Sequence, residues 1–160
     1  MRIFKEEQAF RQWWIILVLG STLVVTSIPL INSLGDNSSG STNLLGLCLV
    51  LLIIVLFWVI RLKTKIDARG IRAEFRPLKV FKRQYKWEKI EDCYVRQYLP
   101  VQEYGGWGIR GFGKAKAYNV SGNMGIQIIT KDNEKFLIGT NKPEKAQKVI
   151  ARYREKFKTA

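Results

Sequence analysis

Two apolar runs decide the fold: WWIILVLGSTLVVTSIPLI, Trp13–Ile31, and LLGLCLVLLIIVLFWVI, Leu44–Ile60, separated by the polar stretch Asn32–Asn43. The second run has 17 residues, 14 of them Leu, Ile, Val or Phe. At about −0.3 to −0.6 kcal/mol each near the bilayer centre, these favour insertion by about 6 kcal/mol. The first run is interrupted by Gly20, Ser21, Thr22, Thr26, Ser27 and Pro29. Its margin is smaller, but its 19 residues still reach across a hydrocarbon core of about 30 Å. The pair reads as a two-helix transmembrane hairpin over residues 13–60, with an outer loop at 32–43.

Charge sets the expected orientation. Arg2, Lys5 and Arg11 precede the first run, Arg61, Lys63, Lys65, Arg69 and Arg72 come after the second, and the loop between them has no Lys or Arg. Both termini are therefore expected on the cytoplasmic side, with Trp13, Trp14, Phe57 and Trp58 as an aromatic belt at that interface. Glu6 and Glu7 in the leading segment, and the length of the first run, argue against a cleaved signal peptide. A remaining domain of about 100 residues is too small to wrap two apolar rods as soluble core helices. Neither run contains an ionisable Asp, Glu, Lys, Arg or His. Such groups mark ion and proton pathways in membranes, so the hairpin reads as an anchor.

Of the net charge of +14, none comes from residues 1–60, where three basic and three acidic residues balance. Residues 61–160 hold 24 basic and 10 acidic residues. Such a field attracts anionic lipid headgroups, nucleic acid or acidic partners. The chain has no His, and its two cysteines, Cys48 and Cys93, fall in the second run and the domain after it. No metal-ligand spacing and no His-based catalytic motif is present, so the expectation is a non-enzyme with no metal or cofactor.

From Arg61 onward the apolar period shortens to two. Ile71, Ala73 and Phe75 alternate with Arg72, Glu74 and Arg76, and Phe81, Tyr85 and Trp87 alternate with Lys82, Gln84 and Lys86. These are half-buried antiparallel strands, with a turn at Asp67–Gly70 and a break at Pro77. Further strands are expected at 93–99, 107–112, 115–120, 125–130 and 135–139, the last two joined by a hairpin turn at Lys131–Glu134. The chain then ends in a helix. Thr140 or Asn141 caps it, Pro143 suits its first turn, and Ala146, Val149, Ile150, Tyr153 and Phe157 recur at helical spacing. Residues 1–12 read as a short helical lead-in on the cytoplasmic side.

About seven short strands and then one amphipathic helix, on a two-span hairpin, resembles small bacterial membrane proteins with a pleckstrin-homology-like (PH-like) domain. The likeness rests on Trp87-Glu88-Lys89-Ile90-Glu91-Asp92, on Gly105-Gly106-Trp107-Gly108-Ile109-Arg110, and on Gly125–Ile128 through Phe136–Thr140 and Pro143-Glu144. The resemblance implies a bacterial inner membrane and an α+β domain over 61–160, in which a helix plugs a bent antiparallel barrel.

Several stretches are candidates for function. Gly106, Gly108 and Gly111 have the G-x-G-x-x-G spacing of dinucleotide sites, but residues 112–118 alternate like a strand instead of opening a helix, so the context fails. The glycines read as a bent strand, or, with Gly105, Gly106, Trp107 and Arg110, as a partner-facing loop built on residue types favoured at binding hot spots. Arg61, Lys63, Lys65, Arg69 and Arg72, together with Lys145, Lys148 and Arg152 on the terminal helix, are the candidate contacts for anionic lipid. The aromatics among the basic residues fit strand faces better than nucleic-acid stacking platforms. The chain is thus expected to be an integral membrane binding or assembly module, offering a basic surface to anionic headgroups, a protein partner or a second copy. The alternative is a non-catalytic or regulatory subunit of a membrane enzyme or transport complex.

Overall fold

The structure, a computed structural model, describes residues 3–32, 40–78, 81–111 and 113–158. Arg2, Phe112 and residues 33–39 of the expected outer loop lie outside the described residues. The chain divides into two compact units, Ala9–Ile60 and a discontinuous unit made of Met1–Gln8 and Arg61–Ala160.

The first unit holds helices α1 (Trp13–Asn32) and α2 (Gly40–Val59), each of 20 residues and so about 30 Å long. They are antiparallel. The rings of Phe10 and Phe57 meet edge to face at 5.6 Å near one end, and Asn43 Nδ2 donates to the Pro29 carbonyl at 3.5 Å near the other. The hydroxyls of Ser21, Thr22, Thr26 and Ser27 donate to carbonyls three or four residues back. These four hydroxyls are thereby satisfied within the helix. By length and composition α1 can cross a membrane, whereas the apolar stretch of the second helix, Asn43–Val59, is shorter.

The second unit is α+β. Its strands are β1 (Phe4–Ala9), β2 (Arg61–Asp67), β3 (Gly70–Arg76), β4 (Lys82–Tyr85), β5 (Ile90–Gln97), β6 (Gly108–Arg110), β7 (Ala115–Asn119), β8 (Met124–Thr130) and β9 (Lys135–Gly139). A five-residue helix α3 (Pro100–Tyr104) comes after β5, and α4 (Pro143–Lys158) ends the unit. The strands form one sheet in the order β1-β2-β3-β4 and another in the order β5-β8-β9-β7-β6. Where about seven strands in a bent barrel were expected, the described residues form nine in two sheets that do not close. In the second sheet β7 runs parallel to β9, and all its other pairings are antiparallel.

The inner faces obey the alternation in the sequence. Leu62, Ile66, Ile71, Ala73 and Phe75 are buried on the first sheet, and Tyr118, Ile126, Ile128, Phe136 and Ile138 on the second. Aromatic rings join the two layers: Phe75 meets Tyr118 and Tyr85 meets Phe136, both at 5.3 Å. Fully burying a side chain such as Phe136 contributes about 1.5–3 kcal/mol. β9 is apolar on both faces because its outer face is covered too. Leu137 packs with Tyr98 and Ala117, and Tyr104 of α3 lies against that cluster. Helix α4 buries Ala146, Ile150 and Tyr153, the last stacked on Trp87 at 5.4 Å. It is pinned to β5 by Gln147 Oε1, which accepts from the Val95 N–H at 3.1 Å, and by the Arg154–Asp92 ion pair at 2.9 Å. The expected β2–β3 hairpin forms at Asp67–Gly70. Gly70 has φ 135°, and a Cβ there would sit 2.0 Å from the Tyr85 carbonyl oxygen, so only glycine fits.

The N-terminal segment departs most from expectation. Instead of a helical lead-in, residues 4–9 are a strand at the edge of the first sheet, beside β2. Phe4, Glu6 and Gln8 point inward and are buried. The Glu6 carboxylate accepts from the Thr140 hydroxyl at 2.5 Å and the Asn141 N–H at 2.8 Å. Gln8 Nε2 donates to the Gly139 carbonyl at 2.8 Å. Hydrogen bonds to a charged group are worth about 1.5–3 kcal/mol, and stranded buried partners add their own penalty. Glu6→Ala is therefore expected to lower the stability of the full chain by about 1–3 kcal/mol, while Glu6→Gln, which keeps a carbonyl acceptor, loses less. Thermal unfolding in detergent monitored by near-UV circular dichroism measures this. An unchanged midpoint for the alanine variant would mean that β1 is not held at this junction.

Candidate functional site

A groove of about 760 Å³ lies between β1 and α4, within the second unit. The Glu6 bonds create it, because they bring the first strand to the start of the last helix. The Thr140 hydroxyl accepts the Lys142 N–H at 3.1 Å, and the Lys142 carbonyl accepts the Ala146 N–H at 3.0 Å. The chain therefore turns into α4 with Pro143 in the first turn. Lys142, just before the helix, and Lys145, Lys148 and Arg152 on it then fall at successive steps of three, three and four residues, a single ridge along α4 and its start.

Five cations line the groove: Lys5 from β1, Lys142 from the turn just before α4, and Lys145, Lys148 and Arg152 from α4; its one acid is Glu155. All five cations are exposed, and none takes part in an ion pair among the described residues. The walls between them are apolar: Ile3, Phe4, Val149 and Ala151. Val149, placed by its spacing on the buried stripe of the helix, is only half-buried because it faces this groove.

The other candidate lipid contacts are arranged differently. Arg61, Lys63 and Lys65 alternate along β2, and Arg72 pairs with Lys65 in register on β3. They do not line the groove, and most are partnered. Glu7 takes Lys63 at 3.0 Å and Arg61 at 3.4 Å, Lys65 meets Asp67 at 2.6 Å, and Arg72 Nη2 donates to Gln84 Oε1 at 3.0 Å. The Lys63 ammonium hydrogen-bonded to Glu7 holds that carboxyl below its usual range, and Lys65 does the same for Asp67. The backbone N–H of Arg69 donates to Asp67 in the β2–β3 turn. This face therefore carries alternating charge. Lys5 also borders a shallower hollow of about 420 Å³ on it.

Gly105, Gly106 and Trp107 form a braced loop apart from the groove, and the loop leads into β6 and its last residue Arg110. Gly105 ends α3 in the left-handed conformation, its N–H donating to Val101 at 2.9 Å. The Trp107 indole donates to the Gly122 carbonyl at 3.1 Å, and Arg110 Nε donates to the Trp107 carbonyl at 2.8 Å. Trp107 is thus half-buried, an internal strut more than a free anchor. A Cβ on Gly111 would lie 2.2 Å from the Ala115 carbonyl. Gly111 serves close backbone approach, and the next element in the chain is strand β7, where a dinucleotide site would open a phosphate-binding helix. Cys93 is buried, and burial, with the Asp92 charge adding to it, pushes its thiol up to about 12. At neutral pH it is not a thiolate.

Sequence reasoning identified Lys145, Lys148 and Arg152 but missed Lys5, Lys142, Ile3 and Phe4. The signal for the N-terminal residues was the alternation of Phe4-Lys5-Glu6-Glu7-Gln8, hidden because two of its three inward positions are polar. Comparison with family models, with curated proteins and with solved structures finds no match for the chain.

Arg96 grips Glu103 through both carboxylate oxygens, at 3.1 and 2.6 Å, and fixes α3 to β5. The hydrogen bond from Arg96 holds the Glu103 carboxyl below its ordinary value of 4.5. A lowered folded pKa contributes stability that is present above the unfolded pKa and is lost as pH falls through the folded one. Glu103→Gln is expected to destabilise by about 0.2–1 kcal/mol at pH 7, with the gap to wild type closing at pH 3. Paired melts at the two pH values check it, and a gap unchanged at pH 3 would contradict the ion-pair account.

Proposed function

We propose that this protein is a membrane-anchored, non-catalytic binding module that takes an anionic ligand in the basic groove between β1 and α4. One observation carries the reading: five exposed cations face a single groove with one acid among them, while the basic residues of β2 are mostly neutralised by neighbours. Unpaired like charges around a concavity repel one another, and an anion relieves that repulsion. Two packed sheets of mainly antiparallel strands and a C-terminal helix support the PH-like reading. The open sheets and the parallel β7–β9 pair are departures from the expected barrel.

In this reading α1 and α2 both span a bacterial inner membrane and both termini face the cytoplasm. The antiparallel pairing of the helices and the absence of Lys and Arg between them favour it. Arg11, Arg61 and Lys63 lie within a few residues of the helix ends in sequence and stay near the headgroups by chain connectivity alone. The groove's ligand is then an acidic headgroup or an acidic protein surface.

The test uses the full chain in nanodiscs, because a fragment beginning at Arg61 lacks β1. Phosphatidylcholine discs are titrated with polyglutamate, and retention of phosphatidylglycerol over phosphatidylcholine is read by native mass spectrometry from mixed discs. At about 1 kcal/mol per cation, the Lys145→Glu/Lys148→Glu/Arg152→Glu variant is expected to bind at least tenfold more weakly, and salt should weaken the wild type. If neither anion binds, or the charge reversals change nothing, the module reading fails.

A further inference from the structure

The groove is amphipathic, and that narrows its ligand. One wall is the ridge Lys142, Lys145, Lys148 and Arg152, about 15 Å long at 1.5 Å per residue, the reach of about five residues of extended chain. The other wall is residues 3–5, at and before the start of β1, the outermost strand of its sheet. Such an edge presents backbone N–H and C=O groups that another segment can meet. On that second wall Ile3 is 50% exposed beside Phe4, and α4 adds Val149 and Ala151 to the apolar lining. A phosphate headgroup or a pure polyanion makes no use of an apolar surface. A peptide alternating acidic and apolar side chains uses both, because successive side chains of an extended chain point to opposite sides.

We infer that the groove docks an extended acidic segment of a partner protein, its carboxylates on the α4 ridge and its apolar side chains against Ile3 and Val149. This rests on the groove being the anion site, and it adds the class of ligand. Charge supplies the encounter and the direction; the apolar wall separates this ligand from other polyanions.

The probe is a fluorescein-labelled ten-residue peptide in which Glu alternates with Val and Thr, titrated by anisotropy against the full chain in phosphatidylcholine nanodiscs. Deca-glutamate and a peptide with Lys in place of Glu are the comparisons. The alternating acidic peptide is expected to bind tighter than deca-glutamate despite its lower charge, and the Lys peptide not at all. Lys145→Glu/Lys148→Glu should weaken both acidic peptides at least tenfold. Ile3→Ser, at an exposed position, should weaken the alternating peptide several-fold and leave deca-glutamate unchanged, with circular dichroism confirming the fold. Equal binding of the two acidic peptides, with no effect of Ile3→Ser, overturns the docking proposal and leaves the anion site standing. Silence of both peptides, with phosphatidylglycerol still retained, makes the headgroup the occupant and also overturns it. If no anion binds, this proposal and the module reading fall together.

Discussion

The position of the first strand, and with it the basic groove, depends on one buried carboxylate. Glu6 accepts hydrogen bonds from the Thr140 hydroxyl and the Asn141 N–H, joining the first strand to the chain just before the last helix. Gln8 reinforces it through the Gly139 carbonyl. A charge this deep is costly unless hydrogen-bonded; with its partners in place it specifies where β1 lies. Loop-closure entropy opposes bringing together segments more than 130 residues apart in the chain, though it grows only slowly with length. The bonds at this junction and the pairing of β1 with β2 offset that cost.

The same junction makes the apolar helices an insertion between neighbouring strands. β1 and β2 lie side by side in one sheet, yet residues 10–60 separate them in sequence. The connections are short: only Phe10–Gln12 lie between β1 and α1, and only Ile60 between α2 and β2. The domain is therefore not an appendage on a single linker. Its sheet is completed by residues on both sides of the hairpin, and the first strand is made long before its neighbour during synthesis.

Electrostatics divide along the same line. On the exposed face of β2 and β3, acids lie among the cations: Glu7 serves Arg61 and Lys63, and Asp67 serves Lys65. Such exposed pairs are worth little individually, but they flatten the local field. Along α4 no comparable acids intervene in the groove until Glu155, so the positive field is concentrated there. The excess of basic residues over 61–160 becomes one face with interspersed acids and one groove nearly without them only after folding.

The apolar runs, the β2–β3 hairpin, the strand at 135–139 and the terminal helix were legible because each depends on local pattern: continuous hydropathy, period two, a glycine turn or a capped 3.6-residue repeat. Lys145, Lys148 and Arg152 were legible as one helical face. The strand at 4–9 was not, because Glu6 and Gln8 occupy inward positions and erase the apolar alternation that marks a strand. Only contact with Thr140, Asn141 and Gly139 makes polar residues acceptable there. Nor could spacing show that Lys5 and Lys142 share a groove, or that Trp107 is tied down by Gly122. The sequence by itself determined the apolar hairpin, most of the strands and the surplus of positive charge, since these arise from short-range periodicity and composition. Tertiary structure alone decided which cations gather and which are neutralised, because that depends on distances between residues far apart in the chain.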